Sequence, residues 1–300
     1  MEIGIGLPTM LPGASGALVL DWARKADQGS FSSLTVIDRV VYPNFEPMIT
    51  LAAAAGLTRR IRLITSVLLA PLRDTAVLAK EAASLDAFSG GRLTLGLGIG
   101  VRTDDFAACE VDMHMRGKRF DAQLQTMRRV WDGQPVSETV GVIGPRPAQP
   151  GGPRILIGGR SPEAIRRVAR WGAGYIAGSG PPQMAQQGYA LAKEAWMAAG
   201  KPGKPYFAGG TYFAFGPDAA ERGGAFLRDF YGFLGPLADT MAQRLPTTPA
   251  AVKDAIAAFE DIGLDELLLW PTIADLDQLD RLADFLSPAA RDLDRVIHEV

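Results

Sequence analysis

The sequence predicts an α/β fold: a single (β/α)8 barrel, or TIM barrel, spanning residues 1–300. Three observations predict it: eight β-prone segments each precede a helix-like segment, the chain has 300 residues, and no Gly-rich fingerprint follows the first strand. Regular alternation of strands and helices is typical of a parallel sheet covered by helices. Eight units in a chain of this length favour a closed barrel. The alternative, a doubly wound open sheet, normally carries glycines after its first strand, and residues 7–13 lack that spacing.

The first half of the chain contains four strand–helix units. Leu18, Trp22 and Ala26 recur on one side of the first helix, which Gly29 ends. The second strand is rich in β-branched residues. Strand, crossover helix and strand in this order build a parallel sheet. The predicted strands are residues 2–8, 34–37, 61–71 and 92–97, and the predicted helices are residues 17–28, 46–57, 74–88 and 117–131.

A Gly- and Pro-rich segment, residues 132–153, interrupts the pattern between the fourth helix and the fifth strand. We predict an excursion outside the barrel repeat, with residues 139–143 as a β-prone patch that could form a hairpin. The alternation then resumes, with a looser segment around Arg244. The remaining predicted strands are residues 154–157, 175–177, 206–215 and 266–270, and the remaining helices are residues 161–171, 182–199, 218–234, 249–262 and 273–300, the last with a break near residue 287.

Composition limits the classes of function. Net charge is −2 and no basic block stands out, which disfavours binding to nucleic acid or to anionic membranes. The chain lacks an apolar run of about 18 residues and a signal-peptide pattern at its start, so we expect a cytoplasmic protein. With one cysteine, Cys109, and two histidines, His114 and His298, we expect no metal centre. No Gly-x-Ser-x-Gly elbow is present, so the chemistry is expected to come from a cofactor.

The ends of the predicted strands supply the candidate site, because function in such barrels lies where strands end and helices begin. These ends carry Pro8, Asp38, Arg39, Thr65, Ser66, Gly98, Gly100, Arg102, Gly158, Gly159, Arg160, Ser161, Gly178, Ser179, Trp270 and Pro271. Convergence of all of them on one mouth is a stronger indication than any single motif.

Residues 158–161 are the best candidate for a phosphate site. Ser161 suits a helix N-cap and Pro162 the first helical turn, so amides near Gly159 are expected to be unpaired. Free amides, a hydroxyl and the guanidinium of Arg160 suit a phosphate. An ordinary capped turn with a surface arginine is an equally good interpretation. The loop with Gly178 and Ser179 adds further flexible donors.

The glycine-rich exit of the fourth strand, with Gly98 and Gly100, would let the backbone approach a flat ligand, although glycines that ease packing are common. Arg102 could then face a phosphate or a carboxylate, or simply solvent. The candidates for catalysis are Asp38, Arg39, Tyr42 and His114. A structural salt bridge explains the first two equally well, and a surface histidine explains the last.

Nine short motifs together resemble the bacterial luciferase-like family of flavin-dependent oxidoreductases. The resemblance is clear over residues 1–180 and looser beyond. The motifs are TRRIRL (58–63), APLR (70–73), LAKEAASLD (78–86), SGGRL (89–93), GLGIG (96–100), RGKRFD (116–121), PRP (145–147), ILIGG (155–159) and RRVARWGAG (166–174).

The resemblance implies a (β/α)8 barrel that uses FMN or the deazaflavin coenzyme F-420. It implies a non-prolyl cis peptide at the end of the third strand, between Ser66 and Val67, that supports the flavin ring, with Thr65 beside it. It also implies that the loop after the fifth strand holds the cofactor phosphate, which coincides with residues 158–161. The glycines after the fourth strand would lie along the flavin.

Two departures from the family pattern refine the expected function. Arg39 stands where many deazaflavin-dependent relatives have histidine, and Val101 stands where tryptophan often follows glycine. These departures argue against a deazaflavin-dependent sugar-phosphate or alcohol dehydrogenase, although not against use of the deazaflavin in general. The expected function is a monooxygenase that uses oxygen and reduced FMN, supplied by a separate flavin reductase, on a small organic substrate. Hydride transfer with the deazaflavin coenzyme F-420 is the first alternative, and a non-catalytic flavin-binding barrel is the second. The resemblance also implies a homodimer.

Overall fold

The computed structural model describes residues 1–286 and contains a closed barrel of eight parallel strands in sequence order. The predicted fold class is therefore confirmed. The predicted domain extends to residue 300, and its last residues, including His298, lie outside the described residues. The strands are β1 (Glu2–Gly6), β2 (Ser33–Val36), β3 (Arg62–Leu69), β4 (Leu93–Gly98), β5 (Arg154–Gly158), β6 (Gly174–Ile176), β7 (Tyr206–Phe213) and β8 (Glu266–Pro271).

Helices cover the outside of the barrel, and within residues 1–286 five of them begin after a residue whose side chain accepts a hydrogen bond from an amide of the first turn. Ser161 accepts a hydrogen bond from the amide of Ala164, and Thr248 caps a later helix in the same way. The helices are α1 (Gly16–Gln28), α2 (Pro47–Leu57), α3 (Thr75–Ser89), α4 (Thr103–Ala108), α5 (Arg116–Trp131), α6 (Pro162–Trp171), α7 (Pro182–Ala198), α8 (Ala219–Phe230), α9 (Pro236–Gln243), α10 (Pro249–Asp261) and α11 (Asp277–Leu286).

Two helices differ from the prediction. Residues 103–106, which lie outside the helices predicted from the sequence, begin the short helix α4, whose first turn contains Asp104 and Asp105. Acidic side chains stabilise the positive end of a helix dipole. The predicted helix of residues 218–234 ends at Phe230, and a 3-10 turn, Gly232–Leu234, follows it before α9. The segment around Arg244 is therefore more helical than its sequence suggested.

The excursion between α5 and β5 is confirmed, but its β-prone patch forms no strand. Residues 136–141 make a turn closed by bonds from the amide of Val136 to Gly141 and from that of Ser137 to Val140. A lone two-stranded hairpin has no sheet to pack on and is marginal in water. The end of the excursion is anchored where the side chain of Gln149 donates to the buried carboxylate of Asp86 at 2.6 Å.

Alternate residues along the strands divide the core into two apolar clusters, as the period of two in a strand requires. Leu63, Ile157 and Leu267 pack with the helices. Their neighbours along the strands, such as Ile64 and Leu268, belong to a cluster that reaches α8 and Trp270. This second cluster carries the barrel interior up to the mouth that holds the candidate site.

The opposite end of the barrel is sealed by a polar network around Glu266, the first residue of β8. Its buried carboxylate accepts hydrogen bonds from Ser32 and Ser33 at 2.6 Å and from Tyr206 at 2.9 Å, and pairs with Arg62 at 2.8 Å. Each oxygen thus has a partner, as a buried charge requires. This end is structural and leaves the carboxyl ends of the strands for function.

The described part of the chain contains neither a membrane-spanning helix nor a cluster of metal ligands. None of its helices is long and apolar enough to cross a membrane. Within residues 1–286, no group of three His, Cys, Asp or Glu side chains could hold a metal ion. The location of the protein in the cell stays a prediction.

Candidate active site

A cavity of about 330 Å³ lies at the carboxyl ends of the strands, bordered also by the end of α8 and the turn after it. It brings together residues that are far apart in the sequence, as the convergence of the strand ends predicts. Eight of the residues predicted for catalysis or cofactor binding line it: Asp38, Arg39, Ser66, Val67, Gly100, Arg102, Gly178 and Ser179.

The base of the cavity is the side chain of Val67. The peptide bond between Ser66 and Val67 is cis, as the family resemblance implies, and the β3–β4 register shifts at this point. A Cβ at Gly98 would lie 2.7 Å from Cγ2 of Val67, and a Cβ at Gly158 would lie 3.2 Å from Cγ1. These two predicted cofactor contacts are not among the residues that line the cavity; they leave space for Val67.

Thr65 was predicted to lie beside the cofactor, but its side chain has other partners in the structure. Its side chain is fully buried, and its hydroxyl donates to the carbonyl of Gly96 at 2.8 Å. A Cβ at Gly96 would lie 2.0 Å from the carbonyl oxygen of Thr65. Both residues therefore fit the irregular part of β3 against β4, and neither is among the residues that line the cavity.

Asp38 lines the cavity, but its carboxylate is occupied. Arg73 donates to both oxygens, at 2.6 and 3.2 Å, and the amide of Leu69 donates at 2.8 Å. Burial alone would lower the pKa of Arg73, but Asp38 and Glu46 raise it above its ordinary value. The salt bridge left open by the sequence is present, with Arg73 rather than Arg39 as the partner, and the geometry offers no free oxygen for acid–base catalysis.

Arg39 lies among aromatic rings at the edge of the cavity. Its Cζ is 4.3 Å from the ring centroid of Tyr42 and 4.8 Å from that of Phe230, and its Nη1 donates to the carbonyl of Phe230 at 2.7 Å. Burial and the positive charge of Arg102 lower its pKa. The guanidinium therefore contributes positive charge to a partly desolvated site.

Tyr42 is adjacent to this cluster but is not among the residues that line the cavity. Its hydroxyl donates to Asp229 at 2.7 Å, and its ring contacts Phe230 edge-on with centroids 5.0 Å apart. Burial, followed by the hydrogen bond to Asp229, raises its pKa. The arrangement favours a role in holding the end of α8.

Arg102 borders the cavity on the side of β4. It forms an ion pair with Asp104, and its Nε lies 3.7 Å from Oδ2 of the buried Asp105. The other oxygen of Asp105 accepts from the amides of Val40 and Val41 at 3.1 and 2.7 Å, which fixes the loop after β2. Within residues 1–286, the buried Nε atoms of Arg102 and Arg39 have no hydrogen-bond partner. Arg102 is thus paired with two carboxylates, whereas the hydrogen bonds of Arg39 go to the carbonyls of Phe230 and Val41.

His114 lies apart from the cavity, in the exposed 3-10 turn Met113–Met115. A surface hollow of about 420 Å³ is lined by neighbours of this turn, from Glu110 to Ala122. No strand end contributes to that hollow, so we assign the active site to the cavity. The catalytic prediction for His114 has no support from the geometry.

Residues 159–161 are not among the residues that line the cavity, although their turn follows β5, which lies between β4 and β6, whose exits line it. Gly159 has φ of 114°, a backbone conformation that favours glycine. The amides of Gly159, Arg160 and Ser161 donate no hydrogen bond within residues 1–286. The exposed carboxylate of Glu163 also faces this end of α6, where hydrogen bonds from its own amide and from Ser161 lower its pKa.

One wall of the cavity was missed by the sequence analysis. It consists of Phe230, Tyr231 and Phe233, at the end of α8 and in the turn after it, and we call it the aromatic wall. The hydroxyl of Tyr231 contacts those of Ser179 and Tyr212. The run of aromatic residues between 226 and 233 was the available signal, but its helical period indicated only packing.

The sequence profile of the family described as luciferase-like monooxygenase matches residues 1–287. The chain belongs to this luciferase-like family. The match confirms the resemblance carried by the nine motifs and makes the chain a member of an oxidoreductase family.

This luciferase-like protein is similar in sequence to an uncharacterised mycobacterial protein and to a monooxygenase. An uncharacterised protein of Mycobacterium tuberculosis is 30% identical over 210 residues, which cover 60% of this chain and 71% of the relative. The 4-hydroxyprotoasukamycin monooxygenase of Streptomyces nodosus subsp. asukaensis is 31% identical over 147 residues, which cover 46% of this chain and 39% of that enzyme.

Three solved structures share the barrel. A monooxygenase from Streptomyces bottropensis has 24% identity and a TM-score of 0.75, covering 96% of this chain and 99% of its own. A coenzyme F-420-dependent secondary alcohol dehydrogenase, solved with a coenzyme–acetone adduct, has 16% identity and a TM-score of 0.78, covering 96% and 100%. The oxygenating constituent of 3,6-diketocamphane monooxygenase from Pseudomonas putida, solved with FMN, has 18% identity and a TM-score of 0.72, covering 96% and 98%. At these identities the likeness establishes the fold alone.

Proposed function

We propose that this luciferase-like protein is a flavin-dependent monooxygenase that uses oxygen and reduced FMN on a small organic substrate. One observation carries the proposal. Val67 of β3 forms an apolar base in the space left by the glycines of β4 and β5, and the turn that follows β5, residues 159–161, has unpaired amides. A planar ring with an anionic tail matches this pair of features. Names of relatives add support, since three of them are monooxygenases and one of these three was solved with FMN.

The residues fit FMN as follows. Val67 and Gly100 would contact the ring, and the amides of residues 159–161 together with Arg160 would hold the phosphate. Gly178 and Ser179, in the loop after β6, would border the cofactor from the other side. Reduced FMN supplies the electrons that activate oxygen, chemistry that the amino acids lack.

The remaining residues of the cavity act on the substrate. The aromatic wall and the buried Trp270 exclude water and contact an apolar substrate. Arg39 and Arg102 contribute positive charge beside it. Asp38, with both oxygens bonded, holds the loop after β2 and moves no proton. Binding, orientation and exclusion of water are thus the tasks of this chain.

The proposal includes two partners. A separate flavin reductase supplies reduced FMN, and a second copy of the chain forms a homodimer. Exposed apolar side chains on the adjacent helices α2 and α3 support the dimer: Ile49, Val77 and Phe88 are 72%, 54% and 81% exposed. Large apolar side chains that face solvent are candidates for burial against a second copy of the chain.

Hydride transfer with coenzyme F-420 is the second candidate function. It is favoured by the likeness to the F-420-dependent alcohol dehydrogenase, whose TM-score is 0.78. The same base and the same unpaired amides would receive the deazaflavin ring and its phosphate.

Cofactor titration followed by oxygen uptake tests the proposal. The purified protein is titrated separately with FMN, riboflavin and F-420, and flavin fluorescence is recorded. We expect FMN to bind more tightly than riboflavin, which lacks the phosphate. With reduced FMN and a panel of aldehydes, ketones and aromatic polyketides, oxygen uptake should depend on one class of substrate. Tight binding of F-420 without binding of FMN contradicts the proposal, and FMN binding without substrate-dependent uptake indicates a non-catalytic barrel.

A further inference from the structure

Three hydroxyl groups meet beside the cavity, and we call them the hydroxyl cluster. The Oγ of Ser179 lies 2.9 Å from the Oη of Tyr231, and the Oη of Tyr231 lies 2.8 Å from that of Tyr212. Ser179 and Tyr231 line the cavity, whereas Tyr212 is 4% exposed and lies on β7. The fold brings the cluster together from the end of β6, from β7 and from the end of α8.

The hydroxyl cluster holds one more proton than its internal hydrogen bonds require. By distance and angle, Tyr231 is the hydrogen-bond partner of Tyr212 within residues 1–286, so the buried hydroxyl of Tyr212 donates to Tyr231 and leaves no unpaired proton. The hydroxyl of Ser179 also acts on Tyr212, whose pKa it lowers. Two arrangements remain, since a hydroxyl donates once and accepts twice. Either Tyr231 donates to Ser179 and Ser179 donates into the cavity, or Ser179 donates to Tyr231 and Tyr231 donates into the cavity. Both leave one hydroxyl proton for a ligand.

Burial keeps both phenols protonated. It raises the pKa of Tyr212 well above the ordinary value of 10.0. It also raises the pKa of Tyr231, although the hydrogen bonds to Ser179 and Tyr212 and the charge of Arg39 act in the opposite direction. Hydrogen bonds in a chain polarise one another, so the last donor is stronger than an isolated hydroxyl.

Positive charge and aromatic rings surround this donor. Arg39 and Arg102 border the same cavity. Arg102 is paired with Asp104 and Asp105, whereas the guanidinium of Arg39 bonds to the backbone carbonyls of Phe230 and Val41. The Cζ of Arg102 lies 4.6 Å from the ring centroid of Phe233. An oxygen with negative charge gains from the donor and from Arg39, and a flat ring gains from the aromatic wall.

We propose that the hydroxyl cluster binds the phenolate or enolate oxygen of an aromatic substrate. Ser179 or Tyr231 donates to that oxygen, and Tyr212 is a positioning residue that fixes the direction of donation. This inference rests on the proposed function for the identity of the site, because it names the substrate class of the same cavity. Its test requires no turnover.

The probe is p-nitrophenol, whose absorbance distinguishes the phenol from the phenolate. Binding to the purified protein is measured over a pH series, for the wild type and for Tyr231→Phe, Tyr212→Phe and Ser179→Ala. The control is Tyr189→Phe, at a residue of α7 that does not line the cavity. This variant loses a buried hydrogen bond from the hydroxyl of Tyr189 to the carbonyl of Pro205.

We expect the wild type to bind the phenolate and to lower the pKa of the bound probe. Tyr231→Phe should weaken binding about 10-fold and Tyr212→Phe about 3- to 10-fold, with the pKa of the bound probe rising in each. Tyr189→Phe should leave both quantities unchanged. The proposal is overturned if the wild type does not bind the probe, or if Tyr231→Phe and Ser179→Ala both bind it as the wild type does. Should Tyr231→Phe not fold, Ser179→Ala and Tyr212→Phe decide by the same criteria.

A second titration separates a substrate oxygen from a carbonyl oxygen of the flavin. The probe is titrated in the presence of saturating FMN, and FMN affinity is measured in Tyr231→Phe. Simultaneous binding with unchanged FMN affinity supports the substrate assignment. Competition together with weaker FMN binding in the variant assigns the donor to the cofactor and overturns it. If FMN does not bind at all, the proposed function fails, while the result with the probe alone still decides the inference.

Discussion

The Cγ2 of Val67 lies 2.7 Å from the position that a Cβ would take at Gly98. Gly158 leaves similar room for the other methyl group. The base of the cavity is therefore a side chain of β3 that occupies space left empty by β4 and β5. A flat ligand packed on this base depends on that space.

Gly98→Ala should displace Val67 and disturb the base. We expect it to lower the free energy of unfolding by about 1–3 kcal/mol, since added atoms in a packed core force shifts. FMN affinity, measured by fluorescence titration, should fall at least several-fold. Val67→Ala in the same chain should restore part of the stability. Gly56→Ala is the control, because a Cβ there meets no atom within 4 Å; equal effects of the two glycine variants would refute the packing argument.

Asp38→Asn should act on stability. Removing the charge of Asp38 leaves Arg73 with the more exposed Glu46 as its acidic partner, and is expected to cost up to about 3–5 kcal/mol in chemical denaturation. The double variant Asp38→Asn with Arg73→Met should recover part of that loss. Asp21→Asn, which breaks an exposed pair with Arg24, should change stability by about 1 kcal/mol or less. Normal stability with abolished turnover in Asp38→Asn would instead assign it to catalysis.

Arg160→Met tests the phosphate site. Loss of a charged donor should weaken FMN binding about 10-fold, a typical effect for charge-assisted bonds, and leave riboflavin binding unchanged. Arg166→Met, on the helix α6 that follows the turn, is the control, since Arg166 pairs with Glu163 on the surface. If the ratio of FMN to riboflavin affinity stays constant in Arg160→Met, the phosphate is held elsewhere, and Arg39 and Arg102 become the first alternatives.

The hydrogen bonds of Asp27 are expected to stabilise the fold at neutral pH and to lose this effect in acid. Its carboxylate accepts from the amides of Arg59, Arg60 and Ile61 at 2.8 to 3.0 Å. Partial burial alone would raise its pKa, but these bonds and the charge of Arg60 lower it below 3.8. A lowered folded pKa means stabilisation that is present above the unfolded value and is lost as pH falls through the folded one. Asp27→Asn should therefore lower Tm at neutral pH, and the difference from wild type should shrink as the pH falls below 3.8; a constant difference would contradict this.

The exposed residues of α2 and α3 predict the assembly state. Ile49→Asp combined with Phe88→Asp should convert a dimer into a monomer, because charge is costly in an apolar interface. Sedimentation velocity measures the change. Met197→Asp, at an exposed position of α7, should leave the dimer intact. A wild-type monomer, or a dimer insensitive to both substitutions, would refute this assignment.

The architecture could be predicted from the sequence because it depends on local signals. Strand patterns, capping residues such as Ser161 and terminating glycines all act within a few positions, and their repetition gave the barrel. The β-prone patch of residues 139–143 misled because a strand also needs a partner, which no local signal reveals.

The site was harder to predict, because its contacts join distant segments. Asp38 was a sound candidate, but its partner is Arg73, 35 positions away, and composition does not indicate that pairing. Gly98 was assigned to the ligand, whereas its neighbour is Val67. Tyr231 was absent from the prediction because its helix showed only the period expected for packing. Residues 159–161 could be proposed because the turn and its cap are local.

The aromatic wall belongs to a segment separate from the strands that form the base. It is joined to the loop after β2 by the hydrogen bond from Arg39 to the carbonyl of Phe230 and by that from Tyr42 to Asp229. The two halves of the cavity can therefore diverge independently. Exchanging residues 226–235 between family members, with Arg39 and Tyr42 retained, would transplant substrate preference while the half built from β3, β4 and β5 keeps its cofactor. If the protein has the proposed function, its substrate range is in this sense modular.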